Sequence, residues 1–282
     1  MAVKIKVEDR VATYPGRVKL TPVSGAANTY DMERADSPIN VGTPIDKVLF
    51  DNKAYTLTAD ATIYVSKSGN DLSGDGTYDK PFATVQRAVN ELPLHLGGFT
   101  ARIDIANGTY AERVSVVGFS GGSLVIGIPG RSITLRGIEI IESSHVTTNI
   151  SNITYATGFT GPLFKVDKGS TVLVGSNMTV NGAKSSLIGV SASNGSNLNV
   201  YAGTTLSVSD CYNAAVVSES GSVVVVDTVV GTNNSIGLVA TRGGLLSYNN
   251  HTLEGGFGDV VSAGAIMVTG NDATEFVEST FA

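Results

Sequence analysis

The sequence has no tryptophan, one cysteine and three histidines, and only 16% of its 282 residues are charged. The single thiol, Cys211, has no partner for an intrachain disulfide, and no His/Cys spacing typical of a zinc site occurs. The 25 acidic residues outnumber the 19 basic ones, which leaves a net charge of −6. This charge argues against a phosphate-binding surface, so we expect no cofactor and no nucleic-acid partner.

Long apolar runs are also missing. No stretch reaches the roughly 18 apolar residues that a membrane-spanning helix needs. The N-terminus alternates apolar with charged side chains, unlike the unbroken apolar core of a secretory signal. We therefore expect a protein made in a bacterial cytoplasm, without a signal peptide and without membrane insertion.

Glycine, in contrast, is abundant, and four of the 33 glycines mark a repeat. Gly169, Gly195, Gly221 and Gly243 are 26, 26 and 22 residues apart. A period in the twenties, with short apolar segments broken by Gly, Asn and Ser, is typical of a solenoid. One such repeat cannot bury its apolar face alone, so each must stack on its neighbours.

Side chains form columns when the chain is aligned on these glycines. Positions three and five residues from a glycine share one face of a strand, because side chains alternate. The inward columns contain Phe164, Val166, Val190, Ala192, Val216, Ser218, Leu238 and Ala240 before the glycines, and Val172, Val174, Leu198, Val200, Val224, Val226, Leu246 and Tyr248 after them. The pattern predicts an all-β fold, a single-stranded parallel β-helix.

Three segments are expected along the chain. Residues 1–60 form a small β-rich attachment segment, residues 61–100 supply the first strand of the β-helix and a capping helix, and residues 101–282 form the β-helix body with a C-terminal closing segment. The helix is predicted to open at Pro81 and to end before Pro93, with an apolar face of Phe82, Val85, Val89 and Leu92. It would cover the core and the unpaired strand edges at the end of the β-helix.

The N-terminal segment resembles a known class of proteins. The runs RVKLTPV (residues 17–23), NTYDMERAD (28–36) and GTPIDK (42–47) resemble the N-termini of tail-associated structural proteins of phages and prophages of Gram-positive bacteria. In that family the segment anchors a tail fibre, spike or baseplate component. In this chain Ile45 and Asp46 stand where the family usually has Leu and Asn.

A second resemblance covers the start of the β-helix. The runs IYVS (63–66), GND (69–71), GDG (74–76) and PFATVQRA (81–88) resemble the opening of pectate-lyase-like right-handed parallel β-helices. This resemblance implies the right-handed fold and its capping helix, but no activity. Both resemblances together imply a component of the virion tail with a β-helical body, a homotrimer like other tailspikes.

Polysaccharide hydrolysis would need two carboxylates about 5–10 Å apart. Asp167 and Glu219 occupy the same column, two residues before a glycine and two turns apart, which corresponds to about 10 Å at the strand spacing. They are the candidate catalytic pair. A solvated acid beside a turn glycine is the alternative interpretation.

Two other kinds of site are candidates. Asp71, Asp75 and Asp79 lie in a glycine-rich loop and offer oxygen ligands for Ca²⁺, although the loop lacks the spacing of a dedicated calcium loop. Tyr201 and Tyr212 are candidates for stacking on sugar rings, with plain surface residues as the alternative.

Outward valines suggest an assembly surface. Val217, Val225 and Val239 fall four residues from their glycines, in columns that point away from the core. Apolar side chains on the outside of stacked turns favour a buried oligomer interface, with coverage by the C-terminal tail as the alternative.

The first hypothesis for function is therefore a non-enzymatic virion structural protein. Its N-terminus attaches to other tail or baseplate proteins, and its β-helix projects as a stalk or receptor-binding body that contacts bacterial surface polysaccharide. The alternative is a tailspike depolymerase that cleaves this polysaccharide. A free bacterial adhesin is a third hypothesis.

Overall fold

A computed structural model of the protein describes residues 56–185, 188–262 and 264–269. Before residue 56 it describes only four strands, the short strands β1 (Val11–Ala12), β2 (Val18–Pro22), β3 (Tyr30–Arg34) and β4 (Pro38–Asn40). The chain divides into a unit of Val3–Tyr55 and a second unit that continues from Thr56. The predicted closing segment after residue 269 lies outside the described residues.

The N-terminal unit contains antiparallel strand pairs. β2 pairs with β3 from Val18 opposite Arg34 to Pro22 opposite Tyr30, and β1 pairs with β4. The unit thus contains β-structure, as the alternation of apolar and polar residues in its sequence predicts.

The second unit is a parallel β-solenoid of about seven turns. It opens with β5 (Ala61–Val65) and the helix α1 (Val85–Glu91). The first three turns are β6 (Thr100–Ile105), β7 (Gly108–Thr109) and β8 (Arg113–Val117); β9 (Ser123–Ile126), β10 (Ile133–Leu135) and β11 (Gly137–Ile141); β12 (Val146–Thr148), β13 (Asn152–Thr154) and β14 (Phe164–Asp167). The next two are β15 (Thr171–Val174), β16 (Met178–Asn181) and β17 (Ile188–Ala192); β18 (Asn197–Val200), β19 (Thr205–Ser209) and β20 (Ala214–Glu219). The last elements are β21 (Val223–Asn234), β22 (Ile236–Thr241), β23 (Leu245–Gly255), β24 (Val260–Val261) and β25 (Ile266–Thr269).

Equivalent strands of successive turns pair in parallel and form three stacks. Stack A runs from β5 and β6 through β9 to β18, stack B from β7 through β10 to β19, and stack C from β8 through β11 to β24. The long strands β21 and β23 serve both stack A and stack B. The all-β prediction is confirmed, with about 50% strand and 3% helix.

The repeat glycines occupy the corner that leads from stack C to stack A. Gly169 and Gly195 have φ angles of 72° and 73°, and the residues before them, Lys168 and Asn194, have φ angles of 53°. Two successive left-handed residues make a tight turn, and the second suits glycine because it has no Cβ. This geometry explains why glycine recurs with the period of the solenoid.

The predicted inward columns form the core. Phe164, Val190 and Val216 are adjacent in stack C and are buried, as is Leu198 in stack A. Ser218 is buried in the same core, and its hydroxyl donates to the carbonyl oxygens of Ser222 and Leu245. A polar residue is therefore tolerated in the column because its hydrogen bond is made within the chain.

The capping helix exists, but it begins at Val85 rather than at Pro81. Phe82 instead extends the sheet, since its N–H donates to the Tyr64 carbonyl and its own carbonyl accepts from the Ser66 N–H. Thr84 is the N-cap, and its hydroxyl accepts from the Arg87 N–H. Within the described ranges, no helix is long and apolar enough to cross a membrane.

Side chains form hydrogen bonds with the free backbone groups both of the helix and of the strand edge that the helix covers. Glu112 accepts from the N–H groups of Val85 and Gln86 at 2.8 and 2.9 Å. The amide of Gln86 in turn bonds both the N–H and the carbonyl of Ser115, in β8. An unpaired edge of stack C is thus closed by one side chain, in the manner expected of a cap.

Candidate functional site

The two candidate catalytic acids lie on the outer wall of stack C. Asp167 ends β14 and Glu219 ends β20, with Ser193 in the equivalent place on the turn between them. Glu219 forms an ion pair with Arg242 at 3.2 Å. The structure thus keeps the two carboxylates in one column, each beside its own cation.

Asp167 is buried and surrounded by donors. It lies 2.7 Å from Lys165 Nζ, and its Oδ1 accepts from Ser193 Oγ at 2.9 Å and Asn194 Nδ2 at 2.7 Å. Burial acts to raise the pKa of Asp167, but the hydrogen bonds from Lys165, Asn194 and Ser193 outweigh it and lower the pKa to about 2. The carboxyl is ionised at neutral pH and has no proton to give to a leaving group.

The depressed pKa makes Asp167 a pH-dependent source of stability. A carboxylate with a folded-state pKa of about 2, against an ordinary value of 3.8, contributes about 2 kcal/mol above pH 4. This contribution is lost as the pH falls from about 4 through about 2. Asp167→Asn is expected to lower the free energy of unfolding by about 2 kcal/mol at pH 7 and to flatten its dependence on pH in that window.

Urea denaturation at several pH values measures this effect. Glu142→Gln is the control, because Glu142 is half exposed and pairs with the exposed Lys168 at 3.2 Å, an interaction worth less than about 1 kcal/mol. Equal losses for the two variants at pH 7 would contradict the role assigned to Asp167.

The three aspartates of the glycine-rich loop have different surroundings. Asp71 accepts from the N–H groups of Ala83 and Thr84 and from the Thr84 hydroxyl, so it holds the loop against the start of α1. Asp75 accepts from both the N–H and the hydroxyl of Thr77. Asp79 is exposed. Among the residues that the structure describes, no three His, Cys, Asp or Glu side chains converge on a possible metal position.

The candidate sugar-binding tyrosines lie at different corners of one turn. Tyr201 follows β18 and is 61% exposed, whereas Tyr212 precedes β20 and is 68% exposed. The strand β19 separates them, and its five residues span about 17 Å. The structure therefore presents two single aromatic side chains rather than one platform.

The candidate interface valines divide between two faces. Val217 and Val239 are register partners in stack C, whereas Val225 lies in the stack A part of β21. Val217 is only 6% exposed in the single chain, and Val225 is 38% exposed. The structure brings two of the three together and places the third on another side of the solenoid.

A cleft that the sequence did not indicate opens beside the first turns. It has a volume of about 430 Å³, and its lining includes Tyr64, Tyr78, Asp79, Asp104 and Arg131. The rings of Tyr64 and Tyr78 are perpendicular, with centroids 5.5 Å apart. Asp104, the register partner of Tyr64, forms an ion pair with Arg131 at 3.2 Å.

A second depression of about 380 Å³ adjoins this cleft, because Arg131 lines both. Its lining is polar and uncharged apart from that arginine: Gly130, Ser132, Ser151, Asn152, Ser176 and Asn177. These residues follow stack A strands on successive turns. The two depressions share Arg131 and both lie along the corner between stacks A and B, and together they are here named the axial groove.

The described residues define a three-stack parallel β-solenoid, which is compatible with the pectate-lyase-like fold. No protein-family model, no curated protein and no solved structure matches the chain. Its function is therefore inferred from the fold, the surface chemistry and the resemblances in the sequence.

Proposed function

We propose that the chain is a structural component of a phage or phage-like tail. Residues 1–60 attach it to other tail or baseplate proteins, and the β-solenoid projects outward as a stalk or receptor-binding body. The observation that carries the proposal is the division of the chain at residues 55 and 56. It separates the segment that resembles tail proteins from a solenoid with its own cap and core.

The solenoid suits a projecting body. Seven turns at about 4.8 Å per turn give a rod about 34 Å long. Ion pairs on its outside join neighbouring turns, such as Arg113 with Glu139 at 2.9 Å and Lys168 with Glu142 at 3.2 Å. Each turn contacts its neighbours along the whole perimeter, which gives a stiff support for surface contacts.

Affinity capture tests the attachment. The full chain and a variant without residues 1–55 are immobilised, incubated with a lysate of phage-infected host cells, and the retained proteins are identified by mass spectrometry. Tail or baseplate proteins are expected on the full chain only. Equal retention by both forms would contradict attachment through the N-terminal unit.

We propose further that the body binds surface polysaccharide without cleaving it. The contacts of Asp167 support this, because its carboxylate is buried and held by Lys165, Ser193 and Asn194, which leaves it poorly placed to activate a water or to attack a sugar. Incubation of the protein with host polysaccharide is expected to release no reducing ends. Release that is lost in Glu219→Gln would favour the depolymerase instead.

We propose a trimer as the assembled form, by analogy with other tailspikes. Light scattering of the full chain is expected to give three times the mass of one 29.1 kDa chain. A single-chain mass would contradict assembly through the solenoid. Val225→Asp places a charge at the exposed valine of stack A and tests whether that face contributes to the trimer interface.

A further inference from the structure

The axial groove has no role in the functions considered so far. We propose that it binds a neutral, extended oligosaccharide whose chain runs along the solenoid axis. The proposal rests on the surface-contact part of the proposed function and specifies its ligand class and its position.

The aromatic end of the groove suits a sugar ring. Tyr78 is 78% exposed, and its ring meets Tyr64 edge to face. A tyrosine presents an apolar ring together with a hydroxyl, which matches the C–H face and the hydroxyl rim of a pyranose. The contact with Tyr64 limits the positions that Tyr78 adopts, so less freedom is lost when a ligand binds.

The charged part of the groove favours hydroxyl groups over acidic groups. Asp104 and Arg131 are already paired at 3.2 Å, so neither presents an uncompensated charge to the ligand. Asp79 adds a negative charge to the same lining. The Asp104 carboxylate can accept from one sugar hydroxyl and the Arg131 guanidinium can donate to the next, whereas an anionic sugar would meet repulsion from the exposed Asp79.

The remaining length supplies uncharged polar groups turn by turn. From Asp104 in the first turn to Asn177 in the fourth, three turn spacings amount to about 14 Å. The hydroxyls of Ser132 and Ser176 make no hydrogen bond within the described part of the chain and are available to a ligand. A chain that follows the axis thus meets similar groups at each turn.

Binding to immobilised hexasaccharides tests the proposal. The array carries neutral glucan, galactan and mannan oligosaccharides together with uronic-acid oligosaccharides of the same length. The full-length protein is expected to bind neutral members, and Tyr78→Ala to weaken that binding at least tenfold. Phe257→Ala is the matched control, because Phe257 is an aromatic residue similarly exposed at 81% and lies between β23 and β24, away from the groove; it is expected to bind like the unchanged protein.

Three results would overturn the proposal: no binding of the neutral oligosaccharides, preferential binding of the uronic acids, or unchanged binding by Tyr78→Ala. Circular dichroism of each variant verifies that the solenoid is intact, as expected for exposed side chains. The affinity capture measures attachment to tail proteins independently of sugar binding. A groove that binds no oligosaccharide would therefore overturn this proposal without affecting the proposed attachment to a phage tail.

Discussion

Leu198→Ala is expected to lower the free energy of unfolding by about 2–5 kcal/mol, the usual cost of emptying a buried leucine site. Leu198 lies in β18 with no exposed surface. Leu173→Ala, in the neighbouring strand β15, removes the same atoms from a side chain that is only half buried. Its expected cost is about 1–2 kcal/mol, smaller than that of Leu198→Ala, because part of the removed surface already meets water and no closed cavity is left in the core.

The pair tests the register of the whole solenoid. Leu173 is the register partner of Asn199, the outward neighbour of Leu198, so the two leucines lie on opposite faces of stack A. A shift of one residue in the strands would exchange inward and outward side chains. Urea denaturation followed by circular dichroism measures both variants. Equal losses, or a larger loss for Leu173→Ala, would show that the register is different.

This register could be predicted from the sequence because glycine marks it. Gly169, Gly195, Gly221 and Gly243 each adopt a φ angle between 72° and 74°. A backbone conformation that disfavours other residues fixes the residue type, so the corner is visible in the sequence once per turn. Side-chain alternation then identifies the inward positions on either side.

The third strand of each turn could not be found in the same way. The stack B strands, such as β16 with Met178 and Val180 buried, are reached through corners of variable length. In the last turns the chain passes from stack A into stack B within one continuous strand, as β21 does. No recurrent glycine marks that passage, so the alignment on glycines shows only two of the three stacks.

The contacts of the candidate sites could not be predicted from the sequence, because they join residues of different turns. The column of Asp167 and Glu219 follows from the glycine spacing, but the folded position of Asn194 against Asp167 depends on the left-handed corner of the next turn. The axial groove likewise combines Tyr64, Tyr78 and Arg131, from three segments that are adjacent only once the register is known. The sequence predicts the start of helix α1 too early because Phe82 pairs with Val65 and continues the sheet, and nothing in the local sequence indicates this pairing.

The second large effect is expected at the one thiol. Cys211 is buried in the corner between β19 and β20, and a Cβ at Gly189 would lie 3.0 Å from its sulfur. Burial raises the pKa of Cys211 to about 12, from an ordinary value of 9.0, and the charge of Asp210 adds to the shift. Because the thiolate is the reactive form, three pH units correspond to about a thousandfold lower reactivity.

The rate of reaction with iodoacetamide at pH 8 therefore measures whether the Cys211 thiol is buried in the corner between β19 and β20. The folded protein is expected to react about a thousand times more slowly than a free cysteine, and to react at the ordinary rate in concentrated urea. Cys211→Ala combined with Tyr212→Cys moves the thiol by one residue to an exposed position and is expected to react quickly without urea. Equal rates for these two folded proteins would contradict the packing of this corner. A slow Cys211 would instead make alkylation a direct measure of how often neighbouring turns separate.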